Sequence, residues 1–236
     1  MIYMTSAWST AEAPAVETAA GILEAIGATV MRGVAPGGLT DMVDLTGYDA
    51  VVLGVGPAGT VMSVPETGEQ LLVDFVNAGG GLVTCEYLIW SNRANRTLRA
   101  ILPATRAVTG PLPSGQTYVP VTPDPIINNG LPGDVVFTAT TVPGSGTKLA
   151  AKAGATVYYD VLSGSATYGG LVGQDVGNGK VISFGCHIGS ETLNDPDFQT
   201  LFGNAVDWTF PAPMPEPGTL ALLAVAGAGL LLKRKR

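Results

Sequence analysis

The chain predicts an α/β protein built on a doubly wound, mostly parallel sheet. Three observations carry this. The runs "YDAVVLGVG", "GLVTCE" and "KVISFG" are continuously apolar and bounded by turn residues, as strands covered on both faces require. Between them lie stretches with apolar residues at helical spacing and recognisable stops. The first half orders these segments β-α-β-β-α-β, the alternation that builds a parallel sheet.

"MIYMTS" opens as a short strand. Residues 10–26 carry Ala, Val, Ile and Leu at helical spacing, with Ser9 or Thr10 as N-cap and Gly27 as stop. "ATVMRGV" is a second strand and "YDAVVLGVG" a buried third. Residues 67–78 form a helix with Leu71, Leu72, Phe75 and Val76 inward, ended by three glycines, and "GLVTCE" follows as the next buried strand. "YLIWSNRANRTLRAILP" is helical over part of its length. Arg93, Arg96 and Arg99 would then line one face, either as a solvated stripe or as an anion or glycan contact. Residues 107–180 change character. Short β-like runs alternate with Pro, Gly and Asn turns, which reads as a β-rich antiparallel insertion or extension. "KVISFG" returns to the parallel sheet. The last helix is "NDPDFQTLFGNAVDW", capped by Asn194 or Asp195, with Pro196 in its first turn and Phe198, Leu201, Phe202, Ala205 and Trp208 on its apolar face.

The chain has 236 residues and a net charge of −7, with 12 basic and 19 acidic side chains. Setting aside the four terminal cations and Glu216 leaves 8 basic against 18 acidic residues, so the body stands at −10. Such a body argues against nucleic acid and anionic surfaces as partners. One histidine and scattered carboxylates make no zinc set. "GVGPAG" follows a strand but is not a dinucleotide fingerprint, because Pro57 removes an amide donor. No cofactor is expected. The layout predicted is one body over 1–210, a linker over 211–217, and an apolar segment with a basic stop over 218–236.

That last segment ends "PMPEPGTLALLAVAGAGLLLKRKR". The uncharged run over 218–232 would make a helix of roughly 22 Å. This is short against a ~30 Å bilayer core, though snorkelling cations and local thinning make up the difference. Lys233, Arg234, Lys235 and Arg236 stop it, and the positive-inside rule keeps them cytoplasmic with the body on the far side. Pro215, Glu216 and Pro217 form a rigid extended tripeptide just before it. The three parts together resemble the PEP-CTERM sorting signal of exported bacterial proteins. That resemblance implies an exosortase-type transpeptidase as partner, with Pro215 to Pro217 as the recognition element. It also implies membrane insertion of the C-terminal helix and delivery to the cell surface or matrix, often beside exopolysaccharide. Exported proteins carry an N-terminal leader, and "MIYMTSAWSTAEAPAVE" has neither a basic n-region nor an apolar h-region. The true start is therefore expected upstream of Met1.

A second resemblance covers the body. "YDAVVLGVG", a helix, "FVNAGGGLVTCE", a Pro/Gly-rich middle with "DPIINNGLP", then "GNGKVISFGCHIGSETLNDPDFQTLFGNAVDW", occur in the order seen in the class I glutamine amidotransferase-like, flavodoxin-like fold. The trehalose-utilisation-like branch is most similar. In catalytic relatives a Cys follows the strand matched by "GLVTC" and a His follows the strand matched by "VISFG", positions held here by Cys85 and His187. A thiolate–imidazole pair is what acyl transfer needs, and Glu191, four residues past His187, is placed to orient it. Against this, the glycines of a nucleophile elbow are replaced by Val83, Thr84, Glu86 and Tyr87. The family's His-Pro-Glu reads Cys186-His187-Ile188-Gly189. If the two strands are neighbours, Cys85 and Cys186 both sit at carboxyl ends and a disulfide becomes an alternative to two buried thiols or an active-site Cys85. The expectation is a surface-sorted protein whose body binds or supports without catalysis. The alternative is an extracellular hydrolase acting on a carbohydrate or amide through His187 with Cys85, Glu86 or Glu191.

Overall fold

The computed structural model describes residues 1–5, 13–55, 63–85, 87–90, 95–111, 115–137, 147–163 and 166–210. In chain order these form β1 (Ile2–Met4), α1 (Ala13–Ala25), β2 (Val30–Arg32), β3 (Ala50–Leu53), α2 (Glu66–Asn77), β4 (Gly81–Thr84) and a four-residue α3 (Tyr87–Trp90). Six strands follow: β5 (Ala104–Pro111), β6 (Gln116–Pro120), β7 (Val135–Phe137), β8 (Thr147–Ala151), β9 (Thr156–Ser163) and β10 (Ala166–Val176). The chain then closes with β11 (Gly179–Phe184) and α4 (Pro196–Thr209).

All eleven strands join one mixed sheet. Its first half, β2-β1-β3-β4-β11, is parallel throughout. The chain leaves β1 for β2 on one side and returns to β3 on the other, so the strand order reverses there, as in doubly wound folds. The second half, β10-β9-β6-β7, continues from β11 with antiparallel pairs. β8 branches from β10 and carries β5. The register of β10 against β9 slips between Gly169 and Leu171 and again before Val172, and this irregularity lies where β8 joins at Gly169.

Helices pack on the parallel half, and adjacent glycines show which helix lies where. A Cβ on Gly80 would lie 2.2 Å from the Phe75 ring of α2, whereas one on Gly81 would meet Thr209 of α4 at 2.5 Å. α2 is thus packed at the entry to β4 and α4 against its first residue, and both helices contact β4 and β11. α4 packs Phe198 and Phe202 on Phe184 of β11, with ring centroids 5.6 and 6.4 Å apart. Its start is fixed by Asp195, whose Oδ1 accepts from the backbone N–H of Asp197 and Phe198 at 3.0 and 2.9 Å, with Pro196 at the first position. α1 ends at Gly27 (φ +92), where Ala28 N donates to Leu23 O and Gly27 N to Glu24 O. The Ser9 and Thr10 cap positions lie outside the described residues.

The stretch 87–103 is helical over part of its length, as expected. Only α3 and a 3₁₀ turn at Leu98–Ala100 are helical among its described residues. Asn95 is buried at φ +55, a left-handed conformation that no right-handed helix holds at that position. Its Oδ1 accepts from Val64 N at 2.9 Å, and the nearby Leu98 N donates to the buried Glu69 Oε2 at 2.8 Å. This segment is thus fastened to the start of α2. Arg96 and Arg99 do not share a helical face, and Arg93 lies outside the described residues.

Candidate functional site

In doubly wound sheets the carboxyl ends of the parallel strands form the usual ligand crevice, and Cys85, Cys186 and His187 lie there. β4 and β11 pair in parallel with Ser183 opposite Thr84, whose hydroxyls meet at 2.6 Å in the core. Phe184 therefore falls opposite Cys85, and Cys186 lies two residues further on. The Cys85 Sγ donates to the Gly54 carbonyl at 3.0 Å, towards β3. Gly54 turns at φ +104, a conformation open to glycine. Just beyond it, Val55 pairs with Ile188 in a parallel bridge. β3 and β11 are separated by β4 lower in the sheet, yet their continuations meet past its end. Cys85 beneath is 0% exposed.

The β11 side is built differently. Gly185 N donates to Gly170 O and Thr147 N to Gly185 O, both at 2.7 Å, which ties the strand end to β10 and β8. Cys186 N donates to the Tyr118 hydroxyl at 3.1 Å. Tyr118 belongs to β6, three strands away in the sheet order. Its ring crosses β10 at Gly170, where a Cβ would lie 3.0–3.1 Å from three ring carbons. Burial holds the Tyr118 hydroxyl well above the ordinary tyrosine range. His187 is 1% exposed, and its carbonyl accepts from Thr192 Oγ1 at 3.2 Å. The same hydroxyl accepts from Gly189 N at 3.0 Å, closing a tight 187–192 turn that carries the half-buried Glu191.

Of the alternatives left open for the two cysteines, the disulfide is not the one formed: Cys85 and Cys186 are both buried thiols. The parallel register offsets them by two residues, and Cys85 points its sulfur to the opposite neighbour strand. A thiol that donates to a carbonyl is using the proton that a nucleophile must lose. Glu86, Pro215, Glu216, Pro217 and the cations Lys233 to Arg236 lie outside the described residues. Sequence reasoning did not single out Tyr118. The available signal was the Gly169–Gly170 pair inside a strand, which marks close approach by another group. On the same strand as Tyr118, the buried Gln116 amide has neither nitrogen nor oxygen hydrogen-bonded among the described residues.

Residues 215–236 match the PEP-CTERM protein-sorting motif. The motif implies export, surface sorting and processing by an exosortase. Among the described residues no helix is long and apolar enough to cross a membrane. No curated protein matches the chain at a significant level. Several solved structures share its fold. A cytoplasmic protein from Salmonella typhimurium LT2 is 19% identical with a TM-score of 0.66, over 89% of this chain and 100% of that one. A protein described as thua-like, from Bacteroides uniformis ATCC 8492, is 11% identical with a TM-score of 0.64, over 88% and 90%. A β-galactosidase from Rahnella sp. R3 is 15% identical with a TM-score of 0.63, over 88% of this chain but 30% of that enzyme. The body therefore shares its fold with proteins described as thua-like.

Proposed function

We propose that the body is a non-catalytic binding or structural module of the cell envelope or extracellular matrix, carried there by its tail. The observation that supports this most directly is the enclosure of Cys85. Its thiol is committed to the Gly54 carbonyl under the Val55–Ile188 bridge, where a substrate has no access to it. In this reading residues 1–210 are the working body and 211–217 the spacer that presents Pro215, Glu216 and Pro217 to the exosortase. The run over 218–232 enters the membrane until it is cleaved, with Lys233, Arg234, Lys235 and Arg236 holding the cytoplasmic side. The matrix partner is an extracellular polysaccharide.

Thiol chemistry tests the non-catalytic half. In native protein neither cysteine should react with iodoacetamide over hours, and both should react once the chain is unfolded. Rapid native alkylation of Cys85, together with loss of a hydrolytic activity, would make the body an enzyme. The sorting half is tested by a reporter placed after Trp208 in a leader-bearing chain with and without residues 215–236. Equal surface display of the two versions would remove the role of the tail.

A further inference from the structure

We propose that a cleft at the amino-terminal edge of the parallel sheet, opposite the edge holding Cys85 and His187, binds a cationic amino sugar. This rests on the binding-module reading and gives it a place and a ligand class. The cleft lies between the 43–49 loop before β3, the exposed side of α2 and the Gly79–Gly80 turn before β4, with a volume of about 980 Å³. That is the upper end of the range for ligand clefts.

Two half-buried rings, Tyr48 and Phe75, stand in its wall. Tyr48 is held edge-on to Tyr3, with centroids 5.4 Å apart at 88°. Phe75 is pressed on Gly80, where any side chain would collide with the ring. Both rings are therefore fixed before a ligand arrives, which lowers the ordering cost of binding. The exposed carboxylates of Asp44 and Asp74 and the side chain of Asn178 share the cleft. Asp44 Oδ1 accepts from Thr46 N at 2.8 Å and Asp74 Oδ1 from Gln70 Nε2 at 2.9 Å, so both are oriented. Among the described residues no Lys, Arg or His lines the cleft.

This combination matches one chemistry. The C–H face of a pyranose packs on an aromatic ring, its hydroxyls donate to carboxylates, and an ammonium substituent is attracted by both the carboxylates and the ring faces. A uronic acid would meet carboxylates with no cation to offset them. A neutral sugar would keep the stacking and lose the charge attraction. Affinity should therefore follow the order amine, neutral, acid along a series of similar shape.

The test is calorimetric titration of the full-length chain in non-ionic detergent with three probes: a β-1,4-glucosamine tetramer, its fully N-acetylated counterpart and tetragalacturonate. The glucosamine tetramer should bind about tenfold tighter than the acetylated one, and the advantage should shrink as salt rises. The double variant Asp44→Asn/Asp74→Asn should remove most of that advantage while leaving the acetylated tetramer unchanged. Both positions are exposed, and an unaltered melting temperature confirms that the fold is kept. Equal binding of amine and acetylated tetramers, indifference to the double variant, or no binding of any probe at millimolar concentration would overturn the proposal. Thiol protection and tail-dependent display are read without a sugar, so failure here leaves the module reading standing, and its own failure shows in those assays.

Discussion

The Sγ of Cys85 donates to Gly54 O, and the Tyr118 hydroxyl accepts from Cys186 N. Both cysteines were legible in the sequence as residues at strand ends. Their surroundings were not, because these come from the Val55–Ile188 bridge and from a ring three strands distant. A local reading sees the spacing of Cys85 and His187 but not what closes over them. Tyr118→Phe should lower unfolding free energy by about 1–3 kcal/mol, since a buried amide loses its acceptor. Urea titration measures this. Gly170→Ala should cost a similar amount, about 1–3 kcal/mol, by forcing the ring aside. The double variant should depart from the sum, because both changes act on the same ring. Gln116→Met runs the other way. An amide buried without partners costs about 1–3 kcal/mol, and an apolar chain of similar shape removes that cost, so the melting temperature should rise.

At the scale of elements, α4 and the 87–103 segment make the contrast. Everything that starts α4 is written locally in "NDPDF": a capping carboxylate, a proline at the first turn and an apolar face behind. Asp195→Ala should cost about 0.5–2 kcal/mol, and hydrogen exchange should show faster opening in the first turn of α4 than in its last. The 87–103 segment has helical composition, yet its path is set by long-range bonds from Asn95 and Glu69. Asn95 also holds a left-handed backbone, and these two contributions separate experimentally. Asn95→Gly loses the bond to Val64 N but keeps φ accessible. Asn95→Ala loses the bond and adds roughly 1–2 kcal/mol of backbone strain. Alanine should therefore be the more damaging change in thermal melts. The order in which the antiparallel strands pair was equally out of reach, because alternating runs and turns specify strands without specifying neighbours.

For the molecule as a whole, four tyrosines among the described residues weigh on the response to alkali. Burial raises the hydroxyls of Tyr3, Tyr118 and Tyr159 above their usual range and pushes Tyr158 up to about 12. Each keeps its proton in the fold at a pH where the unfolded chain has lost it. Their contribution is complete below pH ~10, the unfolded tyrosine value, and is lost as pH rises through the folded values. Denaturant midpoints should hold level up to about pH 9 and fall beyond pH ~10. Tyr118→Phe should lessen that fall. The strands at the two ends of the main order, β2 and β7, are three residues each. On β2, Arg32 is clamped by Glu17 and Glu24 at 3.0 and 2.6 Å. Short rims, here with a charge clamp on β2, are poor templates for strand addition by a neighbour. Molecules displayed side by side at high density on one cell can thus crowd together without seeding fibres.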